Sequence, residues 1–133
     1  MILLGLVLVI LAGIANAVMD KIQFHWHNSI FANGTEYKEQ FWNPAISWKN
    51  KYKPGLESYK YEKFRFSSTL LVFLTDAWHL FQMVHTLFLF AGISLIAYFC
   101  NSFLELFLYV LLSRILYGLC FELFFKKLLS KKE

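Results

Sequence analysis

The sequence is poor in charged residues, in helix-breaking residues and in cysteine. Charged side chains make up 17% of the 133 residues, against about 25% in an ordinary soluble domain. There are two prolines, six glycines and two cysteines. These low counts exclude a collagen-like chain and a scaffold held together by disulfides. Cys100 and Cys120 match no metal or redox spacing, and we expect them to pack as small apolar residues.

Apolar and aromatic side chains are abundant instead. Hydrophobic residues account for 58% of the sequence and aromatic residues for 20%, with a mean hydropathy of +0.48. This composition excludes a disordered chain. A chain this short buries only about two thirds of its surface in water, so an ordinary soluble fold would expose large apolar patches. We therefore expect an integral membrane protein.

The apolar residues fall into two blocks, residues 1–19 and residues 69–125. A membrane-spanning helix needs about 20 residues, and the polar pair Asn101-Ser102 divides the second block into two helices. The sequence thus predicts an all-α integral membrane protein with three transmembrane helices. Its parts are a first span at residues 1–19, a long helix at 69–100 that is embedded from about residue 77, a third span at 103–125, an aromatic-rich interfacial segment at 20–68 and a basic tail at 126–133.

Two alternatives to this arrangement stay open. A further break between Gln82 and His85 would give four shorter spans. Ala15-Asn16-Ala17 resembles the small-residue site at which a signal peptide is cleaved. The apolar run before it has no positively charged residues at its start, so we expect residues 1–17 to remain as an uncleaved span.

The basic residues predict the orientation in the membrane. Twelve of the thirteen Lys and Arg residues lie in residues 20–68 and 126–133. Two spans between these segments place both on one side, and the positive-inside rule makes that side the cytoplasm. We therefore expect a protein of the cell inner membrane whose central segment and C-terminus are cytoplasmic.

The central segment interleaves aromatic residues with lysines, which is typical of a surface at the level of the lipid headgroups. Turn signals divide it, and we expect short interfacial helices at residues 36–41 and 44–51. Its charge is modest and it contains no recognisable nucleic-acid module, so we expect membrane lipids as its partner and no nucleic acid. The tryptophans expected at the interface are Trp26, Trp42, Trp48 and Trp78.

Ionisable residues at the ends of the spans form the candidate site, because such residues are costly in a membrane and are usually paired or functional. Asp76 and His79 are three residues apart and lie on one helical face. Depth counted from the turn at Asn101-Ser102 places His79 level with Glu122. The predicted cluster at the cytoplasmic boundary consists of Asp20, His25, His27, Asp76, His79 and Glu122.

The relative direction of the two histidine side chains after the first span depends on the local backbone conformation. His25 and His27 share one edge only if the chain is extended there. If the first helix continues to residue 31, they point away from each other.

A second group of polar residues lies deeper in the spans. His85 is level with Tyr117 and Arg114, and Gly118 shares a face with Arg114 and could admit a neighbouring helix. Glu105 points away from Arg114. We expect this group to fix helix pairing through His85, Arg114, Gly118 and Glu105.

Two functions fit these patterns. In the first, the chain is a hydrolase for a lipid or lipid-linked substrate, with Asp76, His79 and Glu122 as catalytic residues in a metal-dependent or acid–base mechanism. A divalent metal such as zinc would activate water. Its ligands would come from His25, His27, His79, Asp76 and Asp20.

In the second, the chain is a non-catalytic membrane subunit or a pore-forming oligomer. Its polar residues would then specify pairing with copies of itself or with other membrane subunits. No HExxH or similar signature decides between the two functions.

Overall fold

The computed structural model of the protein describes residues 1–33, 36–55 and 60–131. Within these residues, three helices are long and apolar enough to cross a membrane: Ile2–Phe24, Ala77–Phe99 and Phe103–Leu128. The protein is an all-α membrane protein, and the prediction of three spans rather than four is confirmed, since the second helix runs unbroken through residues 82–85.

The long helices are joined by shorter ones and by 3-10 turns. The turns lie at Trp26–Asn28, Ile30–Asn33, Trp48–Lys51 and Val72–Leu74. The first of them leaves His25 and His27 neither in an extended strand nor in a continuing helix. The helices in chain order are α1 (Ile2–Phe24), α2 (Glu36–Trp42), α3 (Pro44–Ser47), α4 (Ala77–Phe99) and α5 (Phe103–Leu123), which continues as a single π-helical turn at Phe124–Leu128.

Helix α1 is the centre of the bundle. It packs against both α4 and α5, whereas α4 and α5 touch each other little. Gly5 of α1 and Gly92 of α4 bring two backbones together, because a Cβ on Gly92 would lie 2.7 Å from the carbonyl oxygen of Gly5. Gly13 similarly faces the backbone of Tyr117 in α5. Small residues on α1 therefore position both neighbouring helices.

The turn between α4 and α5 lies at Asn101-Ser102, where the sequence places it. Ser102 caps α5, since its hydroxyl oxygen accepts a hydrogen bond from the backbone N–H of Glu105 at 3.1 Å. The Glu105 carboxylate in turn accepts from the backbone N–H of Asn101 at 2.9 Å. The two hydrogen bonds resemble a capping box, with the Glu105 bond made one residue before the cap. They give Glu105 a role at the helix end rather than in helix pairing.

Helix α4 begins at Ala77, eight residues later than the predicted start at residue 69. Residues 69–75 form turns instead. The physical reason is Asp76, whose extended backbone (φ −154°, ψ 156°) breaks the helix and whose side chain caps the next turn. The embedded part expected from about residue 77 coincides with the observed helix.

Short helices form near both predicted positions, with the second divided into an α-helical turn at Pro44–Ser47 and a 3-10 turn at Trp48–Lys51. Helix α3 begins at Pro44 after Asn43, whose side chain accepts from the backbone N–H of Ala45 at 3.0 Å. Asn50 joins this region to the turn that precedes α4. Its side-chain amide donates to the carbonyl oxygens of Gln40 at 3.1 Å and Thr75 at 2.9 Å.

The C-terminal tail returns to the segment that follows α1. The backbone N–H of Ile30 donates to the carbonyl of Leu129 at 3.0 Å. Lys21, which is only 5% exposed, donates to the Ser130 hydroxyl at 2.7 Å. The central segment and the tail thus lie at the same end of the bundle. Residues 132 and 133 of the tail are outside the described residues.

Glu62 organises the loop that leads towards α4. Its carboxylate accepts from the hydroxyl and the backbone N–H of Ser68, and from the backbone N–H of Phe66 at 2.9 Å. Phe66 has a positive φ of 66°, an uncommon conformation that these bonds help to hold. The hydrogen bonds, chiefly that from the Ser68 hydroxyl, lower the pKa of Glu62 from its ordinary value of 4.5.

This loop should loosen in acid. A carboxylate with a depressed folded-state pKa stabilises the fold above its unfolded pKa, and that contribution is lost as pH falls through the folded value. Amide exchange at Phe66 and Ser68, corrected for intrinsic rates, should stay protected down to about pH 4.5 and lose protection below it. Glu62→Gln should weaken protection above about pH 4.5, where the wild-type carboxylate is ionised, and should remove most of the response to acid. An equal acid response in that variant would assign the effect to another group.

Candidate functional site

Asp76 and His79 form a hydrogen-bonded pair at the start of α4. The Asp76 carboxylate accepts from the backbone N–H of His79 at 2.9 Å. Both carboxylate oxygens also lie 2.8 Å from Nδ1 of the His79 ring. Since a carboxylate can only accept, the ring donates a proton from Nδ1, and Nε2 is then the acceptor whenever the imidazole carries a single proton. Asp76 is thus both the helix cap and the group that orients His79.

The two side chains of the pair differ in their exposure to solvent. Asp76 is 3% exposed, and the Thr75 hydroxyl oxygen lies 3.3 Å from its carboxylate. The His79 side chain is 28% exposed. The carboxylate is therefore enclosed while the imidazole reaches a surface where a ligand can meet it.

That surface is a cavity of about 550 Å³ at the loop end of the bundle. Tryptophans from three parts of the chain wall it, and His27 and Lys51 add a second imidazole and an ammonium group. We call it the His79 cavity. Its lining residues are Ile22, Gln23, Trp26, His27, Asn43, Pro44, Ala45, Ser47, Trp48, Lys51, Asp76, Trp78 and His79.

The structure brings together part of the predicted cluster. Asp76, His79 and His27 line the His79 cavity. Asp20 does not line it but lies close enough to His25 to interact electrostatically. The His25 ring packs edge-on against Phe125 at 5.2 Å, away from the cavity.

Glu122 is also separate from the cavity. It is exposed on α5 and forms an ion pair with Lys126 one turn later. Depth along a helix was the basis for placing it beside His79, but depth does not fix the direction in which a side chain points.

No metal centre is assembled from these residues. In the part of the chain that the structure describes, no group of three or more His, Cys, Asp or Glu side chains could hold a metal ion.

The deeper polar group contains one of the expected contacts. His85 Nε2 lies 3.1 Å from the hydroxyl of Tyr117, which links α4 to α5. The Arg114 guanidinium lies 5.9 Å from the ring centroid of the same tyrosine. Around Gly118, the nearest side-chain atom belongs to Arg114 of its own helix, and the close approach of another helix occurs at Gly13 instead.

The tryptophans have two different settings. Trp26, Trp48 and Trp78 line the His79 cavity. Trp42 stacks on Phe31, with ring centroids 4.3 Å apart, in a partly buried cluster that also contains Phe81.

Lys51 is a cavity residue that sequence reasoning does not single out. In the sequence it is one of many lysines of the central segment, and its position depends on the turn that follows α3. The signal Asn43-Pro44 predicts the start of α3, and therefore the approximate position of the turn that carries Lys51. It does not predict that this turn lies beside α4, which depends on the hydrogen bond from Asn50 to Thr75.

Comparison of the chain with protein-family models, with curated proteins and with solved structures finds no match. The function therefore has to follow from the geometry of the site.

Proposed function

We propose that the protein is a membrane-embedded acid–base hydrolase that acts on a lipid or lipid-linked substrate. One observation carries the proposal: the His79 imidazole is held by both oxygens of a buried carboxylate in the wall of an aromatic cavity. A general base needs this combination of a fixed tautomer and an accessible second nitrogen.

The chemistry follows from the free Nε2 of His79. This nitrogen takes a proton from a water molecule whose oxygen attacks the ester carbon or phosphorus of the substrate. The bond to the leaving oxygen then breaks, and the imidazolium returns its proton to that oxygen. Asp76 stabilises the imidazolium in between, and Lys51 supplies positive charge near the negative charge that develops on the substrate.

A second cavity on the other side of His79 supports a lipid-like substrate. It has a volume of about 440 Å³ and is walled mainly by apolar side chains, among them Leu70, Phe73, Met83 and Leu87. His79 lines both cavities. An amphiphile could therefore place its polar group in the His79 cavity and its chain along the apolar one, entering sideways from the membrane.

In this proposal the site lies at the cytoplasmic boundary of the cell inner membrane. The positive-inside rule supports that side, because the central segment and the tail lie at the same end of the bundle and carry nearly all of the basic residues. A divalent metal such as zinc would need ligands from water or substrate in addition to the side chains at His79, so the acid–base form is preferred.

Turnover by purified protein tests the proposal. Wild type and His79→Ala would be incubated with mixed micelles of phosphatidylglycerol and phosphatidylethanolamine, and the products identified by mass spectrometry. We expect a released fatty acid or headgroup from wild type at a rate at least about 100-fold above that of the variant. We expect it to persist in EDTA, with no stoichiometric metal by elemental analysis.

Equal rates for wild type and His79→Ala, or no product from these lipids, would contradict the proposal. Loss of activity in EDTA that zinc restores would replace the acid–base form by the metal-dependent one.

The alternative, a non-catalytic subunit or oligomer-forming membrane protein, has one observation in its favour. In the most apolar 18-residue stretch of the third spanning helix, only 6% of the residues are buried within the protein. This helix could therefore face lipid or pair with copies of itself or with other membrane subunits. A monomer by light scattering in detergent would count against the oligomer.

A further inference from the structure

A third cavity, separate from the His79 cavity and from the apolar cavity beside it, is lined with lysines. It has a volume of about 390 Å³. Trp48 lines both this cavity and the His79 cavity. We call it the lysine cavity, and its cationic lining residues are Lys49, Lys53 and Lys63.

The backbone that carries these lysines is held on several sides. The backbone N–H of Lys53 donates to the carbonyl of Tyr61 at 3.0 Å, and that of Lys63 donates to the carbonyl of Lys51 at 2.9 Å. Asn50, also in the lining, accepts from the Gln40 side-chain amide at 2.9 Å and donates to the Thr75 carbonyl. The three ammonium groups therefore come from a connected framework rather than from a loose loop.

The charge of the cavity is not balanced within its own lining. Among the described residues that form it, none carries a carboxylate. Glu62, which is adjacent to Lys63 in the chain, directs its carboxylate to Phe66 and Ser68. Several ammonium donors around a small cavity favour an anion with several acceptor oxygens, such as a phosphate group.

An apolar surface adjoins the lysine cavity. A neighbouring cavity of about 350 Å³ shares Gln40, Asn50 and Lys63 with it and is bounded by Phe64 and Leu74. These two apolar side chains are 37% and 56% exposed. A free phosphate ion would leave this surface unused, whereas the chains of a phospholipid would cover it.

We propose that the lysine cavity binds the phosphate headgroup of an anionic phospholipid, with the acyl chains along Phe64 and Leu74. This site is distinct from the hydrolytic site at His79 and does not depend on turnover there. It anchors the interfacial loops to the membrane surface through charge and apolar contact together.

Native mass spectrometry of the full chain in neutral detergent tests the site. The probes are dihexanoyl-phosphatidylglycerol, dihexanoyl-phosphatidylcholine and inorganic phosphate. We expect one saturable adduct with the glycerol lipid, weaker binding of the choline lipid and of phosphate, and a loss of about fivefold in affinity for each lysine replaced by glutamine.

A charge-matched control separates a built site from diffuse attraction. The test variant is Lys49→Gln/Lys53→Gln/Lys63→Gln, and the control removes three cations outside the lysine cavity, Arg65→Gln/Lys126→Gln/Lys127→Gln. We expect about a 100-fold loss in the first, because three fivefold losses multiply, and less than about a twofold loss in the second.

Three outcomes would overturn the proposal: equal losses in the two triple variants, equal binding of both lipids, or phosphate binding as strong as that of the glycerol lipid. Because the readout is binding, it is unaffected by whether hydrolysis at His79 occurs. All six positions have exposed or half-exposed side chains, so both variants should fold, and far-ultraviolet circular dichroism checks this.

Discussion

Replacing Gly92 with alanine should lower the free energy of unfolding by about 1–3 kcal/mol. A Cβ at this position would lie 2.7 Å from the carbonyl oxygen of Gly5 and 2.9 Å from Cγ2 of Val9. The first of these atoms belongs to the backbone of the first turn of α1, so it cannot turn aside as a flexible side chain can. The two helices would have to separate along the interface that holds the bundle together.

The sign of the effect is informative because helix propensity acts in the opposite direction. Alanine is favoured over glycine inside a helix by about 1 kcal/mol, so a net loss means that the steric conflict exceeds this gain. Gly5→Ala should behave in the same way, since its Cβ would lie 2.8 Å from the carbonyl oxygen of Gly92.

Gly118→Ala is the matched control. Its Cβ would meet only a terminal guanidinium nitrogen of Arg114, at 3.2 Å, and that side chain can move. We expect Gly118→Ala to be neutral or slightly stabilising in SDS titrations of the detergent-solubilised protein followed by tryptophan fluorescence. A loss at Gly118 as large as that at Gly92 would show that these substitutions do not report on the packing of α1.

The same glycines show what the sequence alone could predict. Composition and length sufficed for three spans and for the turn at Asn101-Ser102, because lipid and bilayer thickness constrain them strongly. Which glycine faces which helix depends on the rotation of each helix about its axis. The weakly amphipathic spans carry little information about that rotation. The sequence therefore draws attention to Gly118, while the close contacts are at Gly5, Gly13 and Gly92.

In the candidate site too, some contacts follow from the sequence and others depend on the tertiary structure. A spacing of three residues was enough to pair Asp76 with His79, and depth from the turn was enough to place His85 level with Tyr117. Depth did not bring Glu122 to His79, because Glu122 points outward to Lys126. Two of the three tryptophans that wall the His79 cavity, Trp26 and Trp48, come from 3-10 turns. The paths of such connecting segments are set by tertiary hydrogen bonds, for example that from Asn50 to Thr75.

Asp76→Asn should lower the rate of the proposed hydrolysis by about 10²–10⁴-fold while leaving the fold nearly unchanged. Asparagine is as good a helix cap as aspartate, so its side-chain oxygen can still accept from the backbone N–H of His79. The amide NH₂ takes the place of the second oxygen, however, and it donates to Nδ1 of the ring where the carboxylate oxygen accepted. The imidazole would then favour the tautomer with the proton on Nε2, which is no longer a base towards water.

Two further variants separate capping from orientation. Asp76→Ala removes both functions and should cost about 1 kcal/mol more in stability than Asp76→Asn. Ser102→Ala removes the corresponding cap of α5 and should cost a similar amount with unchanged activity. If activity followed stability across the three variants, Asp76 would be a structural cap and nothing more.

The tautomer itself provides a readout that does not depend on turnover. Nitrogen-15 chemical shifts of the His79 ring should show the proton on Nδ1 in wild type and on Nε2 in Asp76→Asn. Detection of hydrolysis without this difference would assign the base to another group, for which His27 in the same cavity is the next candidate. The difference without hydrolysis would establish the orientation of His79 by Asp76 and would contradict the proposed activity on these lipids.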